Sequence, residues 1–388
     1  MNSHTAYDLK QMQSLPLEAK IRMSQQRIKA WYESWVRYEI YNKATGKTRY
    51  VTAAEEPLLS EDEWIETATD GQVYVSFSGG KDSTVLKHLV ENTPGVYNVP
   101  SLFVNTGLEY PEIQKFAMSQ PNVITVRPEM RFDEVLKKYG YPVFSKETAT
   151  NIECGRKAIA KDDERMINKY LYGERINSET GEVYKYMSLS KTAIDFALHS
   201  NIPVSSKCCA IMKKNPSKKY EKETGRKPFL GLLAEESQKR KKAWERTGCN
   251  AFDLNRPQSQ PIAFWTEQDV LHYIKKYNLP YCSVYGDIVV KTEADIPEGQ
   301  MNFIDYLGEY EEGDRLKTTG CNRTGCVFCM FGIMQDGNPN RFQRLKETHS
   351  RQYDYCINGG EFVDGKWQPS KKGLGLGYVL DYIGVDYK

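Results

Sequence analysis

The segment between residues 73 and 86 constrains this chain more than any other. It reads VYVSFSGGKDSTVL, so an apolar run meets two glycines and then a lysine, an aspartate and hydroxyl side chains before a second apolar stretch. Glycines let a backbone approach an anion closely, and a helix that starts there offers unpaired amides and the positive end of its dipole. The segment therefore predicts a strand, a turn and a helix that cradle a phosphate. The predicted cradle residues are Ser78, Gly79, Gly80, Lys81, Asp82 and Ser83.

The common ATP loop, G-x-x-x-x-G-K-[ST], does not fit this segment. Val75 stands where its first glycine should be, and Asp82 follows the lysine in place of serine or threonine. The string SGGKDS instead resembles the pyrophosphate loop of the N-type ATP pyrophosphatase superfamily, also called the adenine nucleotide alpha-hydrolases. That resemblance implies a site that holds an adenine nucleotide at its alpha and beta phosphates. A Gly-Gly turn with a solvated lysine is the alternative.

Two further strands are legible after the loop, at residues 100–105 and 123–126, and helix-like stretches follow the loops between them. Alternation of strand and helix predicts an α/β fold with a doubly wound, mostly parallel sheet. Ligands of such sheets bind at the carboxyl ends of the strands. Thr106, Gly107 and Glu109, which follow the second strand, are therefore expected at the same edge of the sheet as the phosphate loop. The resemblance to the pyrophosphatase superfamily implies that this loop lines the nucleotide pocket.

Nine cysteines form the second informative pattern, since Cys208 and Cys209 are adjacent and Cys321, Cys326 and Cys329 make a C-x4-C-x2-C motif. A near-neutral charge of +2 over 388 residues, without a signal peptide or a long apolar run, predicts a cytoplasmic protein that does not enter a membrane. Cysteines in a reducing compartment bind metal more often than they form disulfides.

The thiolates of Cys208, Cys209, Cys326 and Cys329 suit either a [4Fe–4S] cluster or zinc by their number. Adjacent cysteines favour the cluster, because two neighbours reach one zinc ion at about 2.3 Å per bond with difficulty, whereas a cubane offers separate irons. Cys321 is an alternative to one of the adjacent pair. If no metal binds, these cysteines are expected to be buried free thiols.

Four separated motifs, in this order, resemble the 3′-phosphoadenylylsulfate (PAPS) and adenylylsulfate reductase family over about residues 72–332. They are KCCAIMKK at 207–214, GLLAEESQKR at 231–240, PIAFWTEQDV at 261–270 and GCVFC at 325–329. The resemblance implies an adenine nucleotide alpha-hydrolase-like core with a C-terminal cysteine knuckle. It places the phosphates on residues 78–83, with Glu235, Ser237 and Arg240 near them, and a cluster on Cys208, Cys209, Cys326 and Cys329.

The chain departs from that family where a reductase would carry its chemistry. Assimilatory reductases attack the sulfate sulfur with a cysteine in an E-C-G-[IL]-H tail, whereas residues 373–388 contain neither cysteine nor histidine. The last thiol, Cys356, lies in a predicted helix, where a packed side chain is expected. An ATP-dependent relative fits better, one that activates an acceptor, expels pyrophosphate and delivers sulfur.

In that mechanism Lys81 and Asp82 are the expected catalytic residues. Lys81 would neutralise the phosphates, and Asp82 would position Mg²⁺ or only cap the helix. The cofactors expected are ATP or PAPS, Mg²⁺ and an iron–sulfur cluster, with zinc as the alternative to the cluster. A thiol-dependent PAPS reductase and a non-catalytic nucleotide-binding or sensor subunit of a larger complex are the other functions considered.

Two sequence features predict a helical N-terminal region. Residues 19–41 show apolar side chains at helical spacing, with Trp31 and Trp35 among them. Ser60 and Glu63 have the spacing of a capping box, which predicts a helix over residues 58–67.

Basic clusters at 213–227 and 239–246 leave a nucleic acid open as a substrate. A sulfur donor protein is a further expected partner. The expected domains are a helical N-terminal extension (1–68), a nucleotide-binding core with the phosphate loop (69–146), a helical insertion (147–205), a second part of the core with the Cys-Cys motif (206–290) and a C-terminal region with C-x4-C-x2-C (291–388).

Overall fold

A computed structural model describes residues 4–52, 59–68, 72–186, 188–291 and 315–388 of the chain. The chain divides into two compact units, each of which is made from several stretches of sequence. The first unit comprises Met1–Val104, Tyr110–Val126 and Ser217–Thr324, and the second comprises Asn105–Glu109, Arg127–Pro216 and Gly325–Lys388.

The α-helices of the described residues are numbered in chain order. They are α1 (Ala6–Gln13), α2 (Leu17–Glu33), α3 (Lys81–Glu91), α4 (Pro111–Ser119), α5 (Phe132–Tyr139), α6 (Lys146–Ile159), α7 (Glu164–Ile167), α8 (Lys191–His199), α9 (Asn215–Thr224), α10 (Gln238–Thr247), α11 (Glu267–Lys276), α12 (Arg341–Thr348), α13 (Ser350–Ile357) and α14 (Leu376–Tyr382). None of the helices described is both long and apolar enough to cross a membrane.

The strands are short and follow the same numbering. They are β1 (Arg37–Asn42), β2 (Lys47–Thr52), β3 (Glu63–Ala68), β4 (Val73–Phe77), β5 (Ser101–Val104), β6 (Val123–Val126), β7 (Val143–Phe144), β8 (Glu174–Ile176), β9 (Val183–Lys185), β10 (Lys227–Leu230), β11 (Asn250–Ala251), β12 (Gln258–Ser259), β13 (Ile288–Val290), β14 (Leu316–Thr318), β15 (Met330–Phe331), β16 (Glu361–Val363) and β17 (Lys366–Gln368).

A six-stranded sheet in the order β11-β12-β10-β4-β5-β6 forms the centre of the first unit. Its strands are parallel except for β11, which pairs antiparallel with β12. Strand β4 is buried at four of its five positions, as expected for a parallel strand that is covered on both faces. The predicted α/β fold with a mostly parallel sheet is confirmed, and β4, β5 and β6 lie where the sequence pattern placed them.

The register of the sheet brings the ends of β4 and β10 to the same edge. Leu230, the last residue of β10, pairs with Ser76 near the end of β4. The phosphate loop follows β4, and the segment that begins with Gly231 follows β10. Two motifs that are about 150 residues apart in sequence therefore start side by side.

Helix α2 packs into the core of the first unit, as the apolar spacing of residues 19–41 indicated. Trp31 is fully buried in that core, and Trp35 packs against it. The hydroxyl of Ser24 donates to the carbonyl of Pro261 (2.9 Å) and accepts from the indole nitrogen of Trp265 (3.0 Å). These bonds fix the helix to the segment that precedes α11.

The predicted helices over residues 19–41 and 58–67 are wrong in part, because β1 and β3 occupy residues 37–42 and 63–68. Residues 37–42 (RYEIYN) are rich in aromatic and β-branched side chains, which favour a strand. Glu63 does accept a hydrogen bond from the amide of Ser60 (3.1 Å). It also binds Arg49 of β2 through two bonds of 2.9 Å, so the chain continues as a strand of the sheet β2-β1-β3.

The second unit is mainly helical and contains three small strand pairs. These are the parallel pair β7–β15 and the hairpins β8–β9 and β16–β17. Residues 177–181 form an exposed turn that joins β8 to β9, where the amide of Gly181 donates to the carbonyl of Asn177 (2.9 Å). Arg156 of α6 donates to four carbonyl oxygens at the end of α8 and in the residues that follow it, those of Phe196, Ala197, Ser200 and Ile202.

Replacing Lys20 by methionine should lower the free energy of unfolding by about 3–5 kcal/mol. The ammonium group of Lys20 is 2.8 and 2.7 Å from the two carboxylate oxygens of Asp269, and only 1% of Lys20 is exposed. The variant leaves the Asp269 carboxylate buried without its cation. Urea unfolding monitored by tryptophan fluorescence measures the loss.

Lys29→Met is the matched control, because Lys29 lies on the same helix in an exposed ion pair with Glu33 (3.7 Å). Its loss should cost less than about 1 kcal/mol. Equal urea midpoints for the two variants would contradict a structural role for the buried pair.

Candidate functional site

The loop between β4 and α3 has the backbone that the two glycines predict. Gly79 adopts a left-handed conformation (φ +73°), and Gly80 is the N-cap residue of α3. A Cβ on Gly79 would lie 3.1 Å from a side-chain carbon of Ile113. A Cβ on Gly80 would lie 3.1 Å from the hydroxyl oxygen of Tyr285. The backbone conformation therefore favours glycine at residue 79, and a side chain at residue 80 would be tightly packed against Tyr285.

Ser78 and Ser83 stabilise the loop through hydrogen bonds within it. The hydroxyl of Ser83 donates to the carbonyl of Gly80 (2.9 Å) and accepts from the amide of Ser78 (3.2 Å). The two serine hydroxyls are 3.1 Å apart. These bonds hold the loop in a closed turn at the start of α3, so that its first-turn amides stay together.

Lys81 is a buried cation, since only 4% of the residue is exposed. Its ammonium nitrogen lies 3.1 Å from the carbonyl oxygen of Asn322, 3.2 Å from a carboxylate oxygen of Glu267 and 3.8 Å from Asp82. A charge that leaves water must be paired and hydrogen-bonded, and these oxygens meet that need. The lysine is thereby held at the loop.

Asp82 carries a carboxylate oxygen that is buried and accepts no hydrogen bond. Burial raises the pKa of Asp82, and the positive charge of Lys81 opposes that rise. The carboxylates of Glu236 and Glu267 raise the pKa further, while Arg323 lowers it. This oxygen is therefore a candidate ligand for a cation that arrives with the phosphates.

Glu235, Ser237 and Arg240 lie in the same unit as the loop. Ser237 caps α10, since its hydroxyl accepts from the amide of Arg240 (3.3 Å). Glu235 accepts from the amide of Glu267 (2.5 Å), and burial raises the pKa of its carboxyl group. The motifs at 231–240 and 261–270 are therefore joined at the start of α11.

Glu236 connects this segment to two cations. It forms ion pairs with Arg240 and with Arg323, the latter at 3.4 Å. Gly231, at the start of the same motif, lies against the first turn of α3. A Cβ there would be 3.2 Å from the carbonyl oxygen of Asp82 and from the nitrogen of Ser83. The motif after β10 therefore lines the turn that would hold the phosphates.

The sequence did not single out Tyr285, Asn322, Thr324 or Glu267, although all four contact the loop or one another. Tyr285 accepts from the amide of Lys81 (3.1 Å) across 204 positions of sequence, and Asn322 is 241 positions from Lys81. No spacing in the sequence reports a contact at such separations. Asn322 and Thr324 lie inside the C-x4-C-x2-C motif, in which only the cysteines were expected to have a function.

Thr106 and Gly107 belong to the second unit, where they form a tight turn. The amide and the hydroxyl of Thr106 donate to the carboxylate of Glu109 (3.1 and 2.7 Å). Gly107 has φ +73°, and a Cβ on it would meet no atom within 4 Å. The expected contact of these two residues with a nucleotide stays a prediction.

The four predicted cysteine ligands all belong to the second unit. A hydrogen bond between the thiols of Cys208 and Cys209 lowers the pKa of Cys209 and raises that of Cys208. Lys146 and Lys213 also lower the pKa of Cys209. Burial raises the pKa of Cys326 to about 11 and also raises that of Cys329.

The knuckle that carries Cys326 and Cys329 is held by backbone contacts. The amide of Cys329 donates to the carbonyl of Cys326 (3.1 Å), and that of Val327 donates to the carbonyl of Leu108 (2.8 Å). Arg341 donates to the carbonyls of Cys329 (3.0 Å) and Phe331 (3.1 Å). The same guanidinium binds both oxygens of Asp336 at 2.7 Å, so the knuckle is fixed to α12.

The sequence predicts an iron–sulfur cluster or zinc on these four cysteines. Within the described residues, no three or more His, Cys, Asp or Glu side chains are arranged to hold a metal ion. A cluster or a zinc ion on Cys208, Cys209, Cys326 and Cys329 therefore stays a prediction. Cys321 lies in the first unit, where its amide donates to the carbonyl of Val284 (3.0 Å).

Comparison with known proteins identifies the family. The sequence model of the phosphoadenosine phosphosulfate reductase domain matches residues 72–175 and 164–330. A solved phosphoadenylyl-sulfate (PAPS) reductase from Candida auris, in a phosphate complex, is similar at 16% identity with a TM-score of 0.29, over 55% of this chain and 75% of that one. No curated protein matches significantly. Because the family model covers more than half of the sequence, the chain belongs to the phosphoadenosine phosphosulfate reductase domain family within the pyrophosphate-loop superfamily.

Proposed function

We propose that this protein is an adenine-nucleotide enzyme of sulfur chemistry, which activates an acceptor with ATP, releases pyrophosphate and then directs sulfur transfer. The observation that carries the proposal is the phosphate loop with its buried Lys81. Family membership supports a sulfonucleotide-related role but leaves the choice between ATP and PAPS to other features.

The loop supplies the means to hold a leaving pyrophosphate. The first-turn amides of a helix lack intrahelical acceptors and point towards an anion at its N-terminus. Lys81 adds a fixed positive charge, and Gly79 and Gly80 leave room for close approach. Such preorganised donors stabilise charge that develops on the phosphates as the bond to the alpha phosphate breaks.

Asp82 is the residue of the loop that we assign to Mg²⁺. Its unbonded carboxylate oxygen lacks a hydrogen-bond donor, and a magnesium ion that is bound by phosphates commonly takes one or two carboxylates from the protein. Asp82 would orient the ion on the nucleotide. It is a poor general base in this role, because a cation would hold it deprotonated and occupied.

The thiols of Cys208, Cys209, Cys326 and Cys329 would hold a [4Fe–4S] cluster, with zinc as the less favoured occupant because two adjacent cysteines reach one zinc ion with difficulty. When bound, such a cluster would take part in sulfur transfer or would form a charged wall of the substrate pocket. Lys146 and Lys213 offset the negative charge of the thiolates, and Arg341 holds the carbonyl of Cys329.

The reductase alternative requires an attacking thiolate, and Cys356 does not suit that role. It lies in α13 with none of its surface exposed, and burial raises the pKa of its thiol well above the ordinary range. A non-catalytic nucleotide-binding or sensor subunit would use the same loop without turnover. A sulfur donor protein and a nucleic acid acceptor stay expectations, and the basic residues of α10 are the feature that a polynucleotide would use.

Replacing Lys81 by methionine should weaken the binding of ATP, PAPS and pyrophosphate by about 50-fold or more, because a charge-assisted contact to phosphate is lost and its partners are left unpaired. Isothermal titration with each ligand measures the change. Lys115→Met, at an exposed position of α4, is the control and should bind as the unaltered protein does.

Turnover then separates the candidate functions. Release of pyrophosphate from ATP supports the proposed enzyme, and release of sulfite from PAPS with a thiol donor supports the reductase. Nucleotide binding without either product supports the sensor subunit. Full affinity in the Lys81 variant would overturn the assignment of the loop.

Protein purified without oxygen should contain about four irons and four acid-labile sulfides per chain. Cys326→Ser should lose most of both, because a serine hydroxyl is a poor ligand for the cluster. Elemental analysis with a visible spectrum provides the measurement. Cys154→Ser is the matched control, since Cys154 is a half-buried thiol of α6 outside the four, and it should keep its iron.

Zinc in place of iron, or equal iron in both variants, would refute the cluster assignment. The phosphate-loop proposal would stand after either result, because its test measures nucleotide binding alone.

A further inference from the structure

We propose that Tyr285 is a positioning residue of the phosphate loop, whose hydroxyl keeps the first turn of α3 ready for an anion. The proposal rests on the nucleotide site proposed above and adds to it a residue from outside the loop motif. Tyr285 acts through Lys81 and does not itself touch substrate.

Two contacts place the Tyr285 hydroxyl at the start of α3. It accepts from the amide of Lys81 at 3.1 Å and lies 2.8 Å from the hydroxyl of Thr324. The same oxygen is 3.1 Å from where a Cβ on Gly80 would lie. A side chain at residue 80 would therefore crowd this hydroxyl.

The Lys81 amide needs such a partner. It is the first N–H of α3 and has no acceptor within the helix. A buried donor without an acceptor destabilises the conformation that contains it. The hydroxyl of Tyr285 satisfies this donor before any ligand binds, so the turn does not have to rearrange to hide it.

A phenol suits this position better than a carboxylate would. Burial raises the pKa of Tyr285 far above its ordinary value, so the group stays neutral. A neutral oxygen can accept from the amide without repelling a phosphate nearby. A carboxylate there would offset the positive charge at the N-terminus of α3 and would repel the ligand.

Tyr285 also lies beside the side chain of Lys81. The ammonium nitrogen is 5.7 Å from the centroid of the Tyr285 ring, a distance at which a cation and an aromatic face attract each other. The tyrosine thus contacts both the amide and the charged end of the one lysine in the loop. A change at Tyr285 should alter the direction of both.

The tyrosine is itself rigidly held. Only 2% of it is exposed. The amide of Gly320 donates to its carbonyl (2.8 Å), and that of Cys321 donates to the carbonyl of Val284 (3.0 Å). A Cβ on Gly320 would be 2.4 Å from the Val284 carbonyl oxygen. The backbone segments that contain these two residues are therefore in direct contact. A side chain on such a support can fix the position of a loop.

Tyr285→Phe tests the proposal, because it removes the hydroxyl and keeps the ring. In the ligand-free protein, hydrogen exchange of the peptide that covers residues 77–86 should become about tenfold faster or more, with peptides elsewhere unchanged. Affinity for ATP, PAPS and pyrophosphate should fall by about 5- to 50-fold, the range expected when a buried donor loses its acceptor. Tyr97→Phe, at a tyrosine that is 67% exposed, should change neither measurement.

Unchanged exchange in peptide 77–86 would overturn the proposal, as would exchange that rises equally throughout the first unit. Tighter binding of pyrophosphate by the Phe variant would also overturn it, because the hydroxyl would then compete with the ligand. Thr324→Val should shift exchange in the same direction by a smaller factor. If the unaltered protein binds none of the three ligands, the proposed function fails, while the exchange result still decides the role of Tyr285.

Discussion

The pairing of the buried Lys81 ammonium group is the interaction on which the loop between β4 and α3 depends. Removing a cation from water is costly unless oxygen atoms replace its hydration shell. Here those oxygens belong to Asn322, Glu267 and Asp82, which come from three separate stretches of sequence. The loop can therefore hold its charge only after the segments around residues 267 and 322 have folded against it. The phosphate loop is thus a product of the whole unit, although its motif is six residues long.

The charges around the loop alternate in sign and largely satisfy one another. Glu236 pairs with Arg240 and Arg323, and Glu267 pairs with Lys81. An incoming polyphosphate would offer these cations a second set of anionic oxygens, so little new charge has to be created on binding. The Asp82 oxygen is the exception, since it accepts no hydrogen bond. Its burial without a hydrogen-bond donor is a cost that a bound cation would remove.

The second unit organises its thiols by different means. Arg341, bound to Asp336 and to two backbone carbonyls, fixes the knuckle, while β15 pairs with β7. Burial raises the pKa of the Cys326 thiol to about 11 and also raises that of Cys329, whereas the positive charge of Lys213 lowers that of Cys326. The neighbouring Cys326 and Glu109 raise the pKa of Lys213 against the effect of its burial. Lys213 therefore offsets only part of the cost of a negative charge on Cys326.

Local sequence pattern was sufficient for the elements whose structure is set by near neighbours. The apolar run of β4, the two glycines and the helix after them predicted the loop, because strand burial, backbone freedom and helix ends are properties of a few consecutive residues. The same reasoning failed at Glu63. There the local capping bond formed, but two bonds to Arg49 and pairing with β1 made the segment a strand. Contacts across the sheet outweighed the local preference.

The sequence by itself therefore determined the family, the parallel α/β core, the phosphate loop and the grouping of four thiols as candidates. Only the tertiary structure decided which residues complete the loop. Tyr285, Asn322 and Glu267 contact Lys81 although all three follow the last strand of the central sheet in the sequence. The hydrogen bond between Lys81 and Tyr285 joins residues 204 positions apart. Residue spacing and composition cannot predict such a bond, since it depends on the three-dimensional path of the chain.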